Sequence, residues 1–385
     1  MRFVHAAQKP VQLRDGVPTA RPQPPKMHNV KKVAMTEEKR AQKRREDEER
    51  AAKYSALSSA AMALRAERRY DEESLAATAK VLGINCEMTT LWNFRRETLR
   101  ALLPEGGADA RRAACEREFK LTQECLGINP KSYPVWHHRE WVMQWGECTW
   151  QHAVDLKLTA KLLTLDERNF HCWTYRRFVA KVAGVPAEAE LKFTSDKVNS
   201  NFSNYSAWHY RSKLLPRIHP AGAETLEPTL NEELQLLRSA FYISPEDQSA
   251  WFYHRWLLAQ LAKARGAAAG AAAGAEEGVA GGADGGAAGA SAGGAASVFA
   301  GVDAAVLEGE MAAVRELLEL EPGCKWPLLA SALLAQALGR PAEARLSLEE
   351  CKSVDPPRTR YYDHLLAQLS PSDAPEGGAG ANGNE

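Results

Sequence analysis

Apolar residues recur along this chain at helical spacing, and neighbouring amphipathic stretches are separated by short runs rich in Asn, Asp, Ser and Pro. Five stretches open on the same wording, a polar start that runs into tryptophan and then arginine. They are Thr89-Thr90-Leu91-Trp92-Asn93-Phe94-Arg95, Ser132-Tyr133-Pro134-Val135-Trp136-His137-His138-Arg139, Asn169-Phe170-His171-Cys172-Trp173-Thr174-Tyr175-Arg176, Asn204-Tyr205-Ser206-Ala207-Trp208-His209-Tyr210-Arg211 and Gln248-Ser249-Ala250-Trp251-Phe252-Tyr253-His254-Arg255. The tryptophans lie 44, 37, 35 and 43 residues apart, a period that predicts a stacked array of helical pairs. Between them run second amphipathic stretches at Arg111 to Ile128, Gln151 to Leu165, Pro186 to Asn199 and Asn231 to Ile243. Each unit is therefore a helix, a turn and a returning helix, and the fold class is all-α, an α–α superhelix of stacked hairpins. Asn129-Pro130 and Ser244-Pro245 read as a capping residue followed by proline at the first helical position.

The same patterning divides the chain. Residues 1–35 lack an apolar face and read as a disordered extension. Residues 36–264 hold a charged lead-in helix and five hairpins, and 265–304 is a Gly/Ala-rich stretch whose glycines argue for a flexible insertion. Residues 305–368 form a degenerate sixth hairpin, with Trp326 as its tryptophan, and capping helices; 369–385 reads as a disordered tail.

Positions i, i+3 and i+4 share a helix face, so Trp92, Trp136, Trp173, Trp208 and Trp251 project with Arg95, Arg139, Arg176, Arg211 and Arg255 toward the neighbouring hairpin. In the fifth copy His254 takes the i+3 place and Arg255 the i+4 place. These residues read as the internal interface that a repeat array requires. The adjacent His137 and His138 point to different faces and read as packing residues, not metal ligands.

Charge changes the picture mainly by exclusion. With 49 basic and 49 acidic residues there is no net field to draw nucleic acid or an anionic membrane. Seven cysteines, odd in number and without a C-x-x-C pair, point to a reducing compartment. No apolar run spans a bilayer and no leader is evident, so a cytoplasmic protein without membrane insertion is expected. No metal site and no complete catalytic constellation stands out, which leaves a scaffold that works with a partner.

The segments Asn129-Pro130-Lys131-Ser132-Tyr133-Pro134-Val135-Trp136-His137-His138-Arg139, Asp166 to Trp173, Asn201 to Arg211 and Asp247 to Trp256 strongly resemble the α subunits of protein prenyltransferases, in wording the type II, Rab-directed branch. The resemblance covers about Met27 to Leu366. It implies a right-handed crescent of hairpins around a β subunit that carries zinc and the lipid diphosphate, with no cofactor on this chain. It further implies transfer of geranylgeranyl from geranylgeranyl diphosphate to C-terminal cysteines of Rab GTPases presented by Rab escort protein. Lys131 matches the family position of a diphosphate-stabilising cation, Tyr133 a nearby donor, and His171 a residue that contacts the isoprenoid diphosphate. Phe170 stands where some relatives carry tyrosine. Two other readings remain open from sequence: the α subunit shared by farnesyltransferase and type I geranylgeranyltransferase, which acts on CaaX proteins, and a non-catalytic tetratricopeptide-like adaptor.

Overall fold

A computed structural model describes residues 36–103, 107–220, 226–273, 299 and 301–369. Among these, all regular structure is helical, and the chain divides into two compact units that meet in sequence at Gly146 and Glu147. The first unit contains α1 (Glu37–Ala66), α2 (Glu72–Leu82), α3 (Thr89–Leu102), α4 (Ala108–Ile128) and α5 (Tyr133–Trp145). Here α2 pairs with α3, α4 pairs with α5, and α1 lies against α2 and α3. The charged start of α1 is exposed and held by ion pairs along its own surface, such as Arg50 with Glu46, before Ala61 and Leu64 enter the core.

The second unit contains α6 (His152–Leu165), α7 (Phe170–Val182), α8 (Ala187–Ser200), α9 (Tyr205–Ile218), α10 (Leu226–Ile243), α11 (Gln248–Ala273), α12 (Ala304–Leu320), α13 (Lys325–Ala337), α14 (Pro341–Val354) and α15 (Thr359–Ala367). They pair in order: α6 with α7, α8 with α9, α10 with α11, α12 with α13, and α14 with α15. None of the described helices is long and apolar enough to cross a membrane.

The hairpin turns differ from the sequence expectation. Asn129-Pro130 and Ser244-Pro245 do not open helices; α5 and α11 begin three or four residues later. Instead the Ser132 amide donates to the Asn129 carbonyl at 3.3 Å, and Asp247 to Ser244 at 3.1 Å. The same closure links Asn169 to Asp166 and Asn204 to Asn201. In three of the turns the leading side chain accepts from the amide two residues on, as Asn129 Oδ1 does from Lys131, Asp166 Oδ1 from Arg168 and Asn201 Oδ1 from Ser203. Asx residues and proline are favoured equally at helix caps and at such turns, which is why the two readings look alike in sequence.

Each tryptophan does fill the seam and also clips the turn before it. The indole N–H donates to the carbonyl six residues earlier: Trp92 to Cys86, Trp136 to Pro130, Trp173 to Glu167, Trp208 to Phe202 and Trp251 to Pro245, all at 2.8–2.9 Å. A buried aromatic thereby satisfies its own polar atom and fixes the turn geometry at one stroke.

The arginines three residues on are also buried, and they lock one hairpin to the next. Arg95, Arg139, Arg176 and Arg211 reach back within their own hairpin to the carbonyls of Leu75, Phe119, Leu156 and Leu191. Three of them then fork onto a carboxylate of the following hairpin: Arg95 on Glu118, Arg176 on Glu190 and Arg211 on Glu233. That carboxylate also takes a donor from its own hairpin, His138 on Glu118 at 2.9 Å and Tyr253 on Glu233 at 2.8 Å. Asp155 likewise accepts from Tyr175 at 2.5 Å. These acids lie eighteen residues before the seam tryptophan in every hairpin after the first. The first hairpin has Ser74 there and Phe94 in place of the donor, so the absence of a preceding seam arginine is matched by the absence of a buried carboxylate.

Two repeat assignments are corrected. In the fifth hairpin His254, not Arg255, takes the buried arginine position, donating to Glu310 at 3.0 Å while Arg255 stays half-buried. In the sixth, Leu328 holds the seam place, its amide bonded to the Cys324 carbonyl at the helix start, and Glu310 lies eighteen residues before it. Trp326 sits off the seam, edge-on to Phe252 at 5.5 Å.

The Gly/Ala stretch also begins differently. Helix α11 continues through Ala273, because extending an existing helix avoids nucleation and its alanines offset the roughly 1 kcal/mol cost of each glycine. The rest of that insertion, 274–298, lies outside the described residues, as do the terminal segments 1–35 and 370–385.

Candidate functional site at the hairpin turns

Antiparallel pairing puts every hairpin turn of a unit on one edge, and side chains tie those turns together. In the second unit Asn201 Nδ2 donates to Glu167 Oε2 at 2.8 Å, and Arg168 to the Ser203 carbonyl at 3.0 Å. The Ser249 hydroxyl reaches that same carbonyl at 3.3 Å. In the first unit Asn129 Nδ2 donates to Glu87 Oε1 at 2.9 Å.

The turn edge of each unit is apolar at fixed repeat positions. Ile84, Ile128, Leu165 and Ile243, each eight residues before a seam tryptophan, are exposed, Leu165 to 78%. Tyr133, Phe170 and Tyr205, three residues before one, are at least half exposed. Scattered exposed apolar residues are ordinary, but the same positions exposed hairpin after hairpin mark a surface made to be covered.

The sequence-derived site residues fall at these turns, Lys131 and Tyr133 in the first unit and His171 in the second. Lys131 and Tyr133 flank Ser132 on the α4–α5 turn of the first unit, both exposed. The Lys131 amide is fixed by Asn129, which sets where its side chain leaves the turn. Helix α5 starts here without a side-chain cap, so its N-terminal field adds to the lysine charge. His171 occupies the equivalent turn of the second unit, on the first turn of α7, buried with its ring 3.9 Å from that of Phe170. There Asn169 caps the helix by accepting from Cys172 N–H at 3.1 Å. The first unit's turn edge therefore offers a cation and a hydroxyl among exposed apolar groups, suited to a ligand with an anionic head and a greasy body.

Other ionisable groups are tied up in structure. Burial would push the Glu118 carboxyl up, but the Arg95 charge and the His138 hydrogen bond hold it at about 2. Burial keeps His138 below the ordinary histidine range, neutral, with Nε2 donating to Glu118 and Nδ1 accepting from Arg96. Burial pushes the thiols of Cys125, Cys172, Cys324 and Cys351 up to about 12, which rules them out as nucleophiles. Among the described residues no group of His, Cys, Asp and Glu could hold a metal ion.

Hairpins of this length, clipped by tryptophan and locked by arginine and carboxylate, define a helical-repeat scaffold. Four segments, 115–146, 154–182, 187–218 and 230–261, match the protein prenyltransferase alpha subunit repeat. The chain is 35% identical over 348 residues to the geranylgeranyl transferase type-2 subunit alpha of Dictyostelium discoideum, covering 89% of this chain and 100% of that protein. It is 45% identical over 238 residues to the human protein of that name, covering 60% of this chain and 42% of the human one. It therefore belongs to the geranylgeranyl transferase type-2 α-subunit family, although it spans less than half the length of the mammalian members. A chain of the solved Candida albicans protein geranylgeranyltransferase-I complexed with GGPP shares the fold, with a TM-score of 0.60 at 18% identity over 83% of this chain and 91% of that one.

Proposed function

We propose that this chain is the α subunit of a heterodimeric protein geranylgeranyltransferase of type II. With a β subunit it transfers geranylgeranyl from geranylgeranyl diphosphate to C-terminal cysteines of Rab GTPases delivered by Rab escort protein, in the cytoplasm. The observation that carries this reading is the repeated apolar turn edge with Lys131 and Tyr133 on it, in a chain that matches the Dictyostelium subunit over that protein's whole length.

In this reading the turn edge seats the β subunit and faces the diphosphate. Zinc held on the β subunit would supply the substrate cysteine as a thiolate. The thiolate sulfur forms a bond to the allylic carbon as the carbon–oxygen bond to diphosphate breaks, and negative charge collects on the departing oxygens. Lys131 meets that charge with a fixed cation, and the Tyr133 hydroxyl and His171 ring add donors, so the barrier falls without any group on this chain exchanging a proton.

The test is co-expression with a Rab geranylgeranyltransferase β subunit, followed by transfer of radiolabelled geranylgeranyl to a Rab with and without escort protein, beside a CaaX substrate. Escort-dependent labelling of the Rab is the expected result. Labelling of the CaaX protein alone would assign the chain to the shared α subunit, and failure to bind a β subunit would sink the enzymatic reading.

A further inference from the structure

Within the first unit, α3, α4 and α5 bring together a second surface unrelated to the turn edge. Trp141 and Trp145 on α5 stack at 5.0 Å with planes 10° apart, and both remain partly exposed. Three guanidinium groups lie over them: Arg96 and Arg100 of α3 at 5.8 and 5.5 Å from the Trp141 ring, and Arg111 of α4 at 5.6 Å from that of Trp145. Among the described residues none of these arginines forms an ion pair, whereas Arg69, Arg112 and Arg117 of the same unit all do.

The local partners preserve the charge. Arg96 donates to Nδ1 of His137 at 2.9 Å and, more weakly, to Nδ1 of His138 at 3.4 Å; arginine can only donate, so both nitrogens act as neutral acceptors. Burial, and after it the neighbouring Arg100 charge, push the Arg96 guanidinium below its usual range. Helix α4 starts without a side-chain cap from Gly107, and Asp109 lies in its first turn. Three cations held over a pair of flat indoles form a planar, fork-donating, apolar-floored patch, and that combination matches a carboxylate-bearing peptide better than a bare anion.

We infer that Arg96, Arg100, Arg111, Trp141 and Trp145 form a docking surface for an acidic segment of a protein partner, its carboxylates on the guanidinium groups and an apolar side chain on the indole pair. This surface is independent of the transferase reading and would operate whether or not that reading holds.

The test is fluorescence anisotropy with the full chain and a fluorescein-labelled peptide of alternating Glu and Leu, against the same peptide with Lys for Glu, and in parallel flotation with phosphatidylserine vesicles. Saturable binding of the Glu peptide alone is expected, weakened by salt and reduced about ten-fold in Arg100→Gln/Arg111→Gln. Trp141→Leu should reduce it as well, with the circular-dichroism melting curve of each variant unchanged. Equal binding of both peptides, unaltered binding in the arginine double variant, no binding at 0.1 mM peptide on the order of ordinary weak docking affinities, or binding to vesicles only would each overturn the inference.

Discussion

Glu118→Gln isolates one hairpin lock. The substitution keeps the side-chain shape but leaves the Arg95 guanidinium, itself 4% exposed, with neutral partners only: the Leu75 carbonyl at 2.5 Å, Thr78 at 2.7 Å and an amide. Removing one member of a buried, hydrogen-bonded charge pair costs about 3–5 kcal/mol, because the other charge remains desolvated. In a unit of this size that lowers the melting temperature by roughly 15–20 °C. The pH dependence supplies an independent check. A carboxyl that titrates near 4.5 when unfolded and at about 2 in the fold contributes on the order of 3 kcal/mol at neutral pH. Because the folded value is depressed, that stability is complete above about pH 4.5 and drains away as pH falls toward 2. Glutamine does not titrate, so the gap in urea-unfolding free energy between wild type and variant should narrow by that amount from pH 5 to pH 2. A gap below 1 kcal/mol at neutral pH, or one that stays constant on acidification, would refute the lock.

Other outcomes follow from the same geometry. Trp208→Ala, which empties a fully buried seam position and frees the Phe202 carbonyl, should cost about 3–5 kcal/mol in chemical denaturation. His254→Ala should cost about 2 kcal/mol and Arg255→Ala less than about 1, since only His254 is buried against Glu310; the reverse order would undo the corrected register. Lys131→Ala should slow single-turnover transfer about a hundred-fold with the heterodimer intact on size-exclusion chromatography, and wild-type rates would remove it from the chemistry. All seven cysteines are buried, so Ellman's reagent at pH 8 should titrate none in the native chain and all of them in guanidinium chloride.

Most of the architecture could be read from spacing alone. The tryptophan period located the first five hairpins, because an indole that fills a seam and closes a turn admits few substitutes. The buried acids went unread, since Glu118, Glu190 and Glu233 look like any of the chain's 49 carboxylates until aligned on the tryptophan eighteen residues later. A fixed offset of an acid from each tryptophan was the available signal. Trp326 misled because removing the Gly/Ala insertion brings its distance from Trp251 back to the array's period, whereas the helix start at Cys324 and Lys325 sets the seam at Leu328. The site residues stand differently: nothing in the periodicity distinguishes Lys131 from other exposed lysines, and only the resemblance of the Asn129 to Trp136 segment singled it out. The apolar turn edge was legible in principle, as Ile128, Leu165 and Ile243 end their helices with an apolar residue where solvent would favour a polar one.

The invariant eighteen-residue step from acid to tryptophan means that all variation in repeat length falls between hairpins, not within them. From one tryptophan to the next hairpin's acid the chain spends 26, 19, 17 and 25 residues, then 59 where the Gly/Ala stretch intervenes. Added length is thus confined to the connections between hairpins. Those connections accommodate a stretch as long as the Gly/Ala insertion while the step across each turn stays fixed. The lock is in this sense also a ruler, holding each hairpin to one length while the connections between hairpins vary.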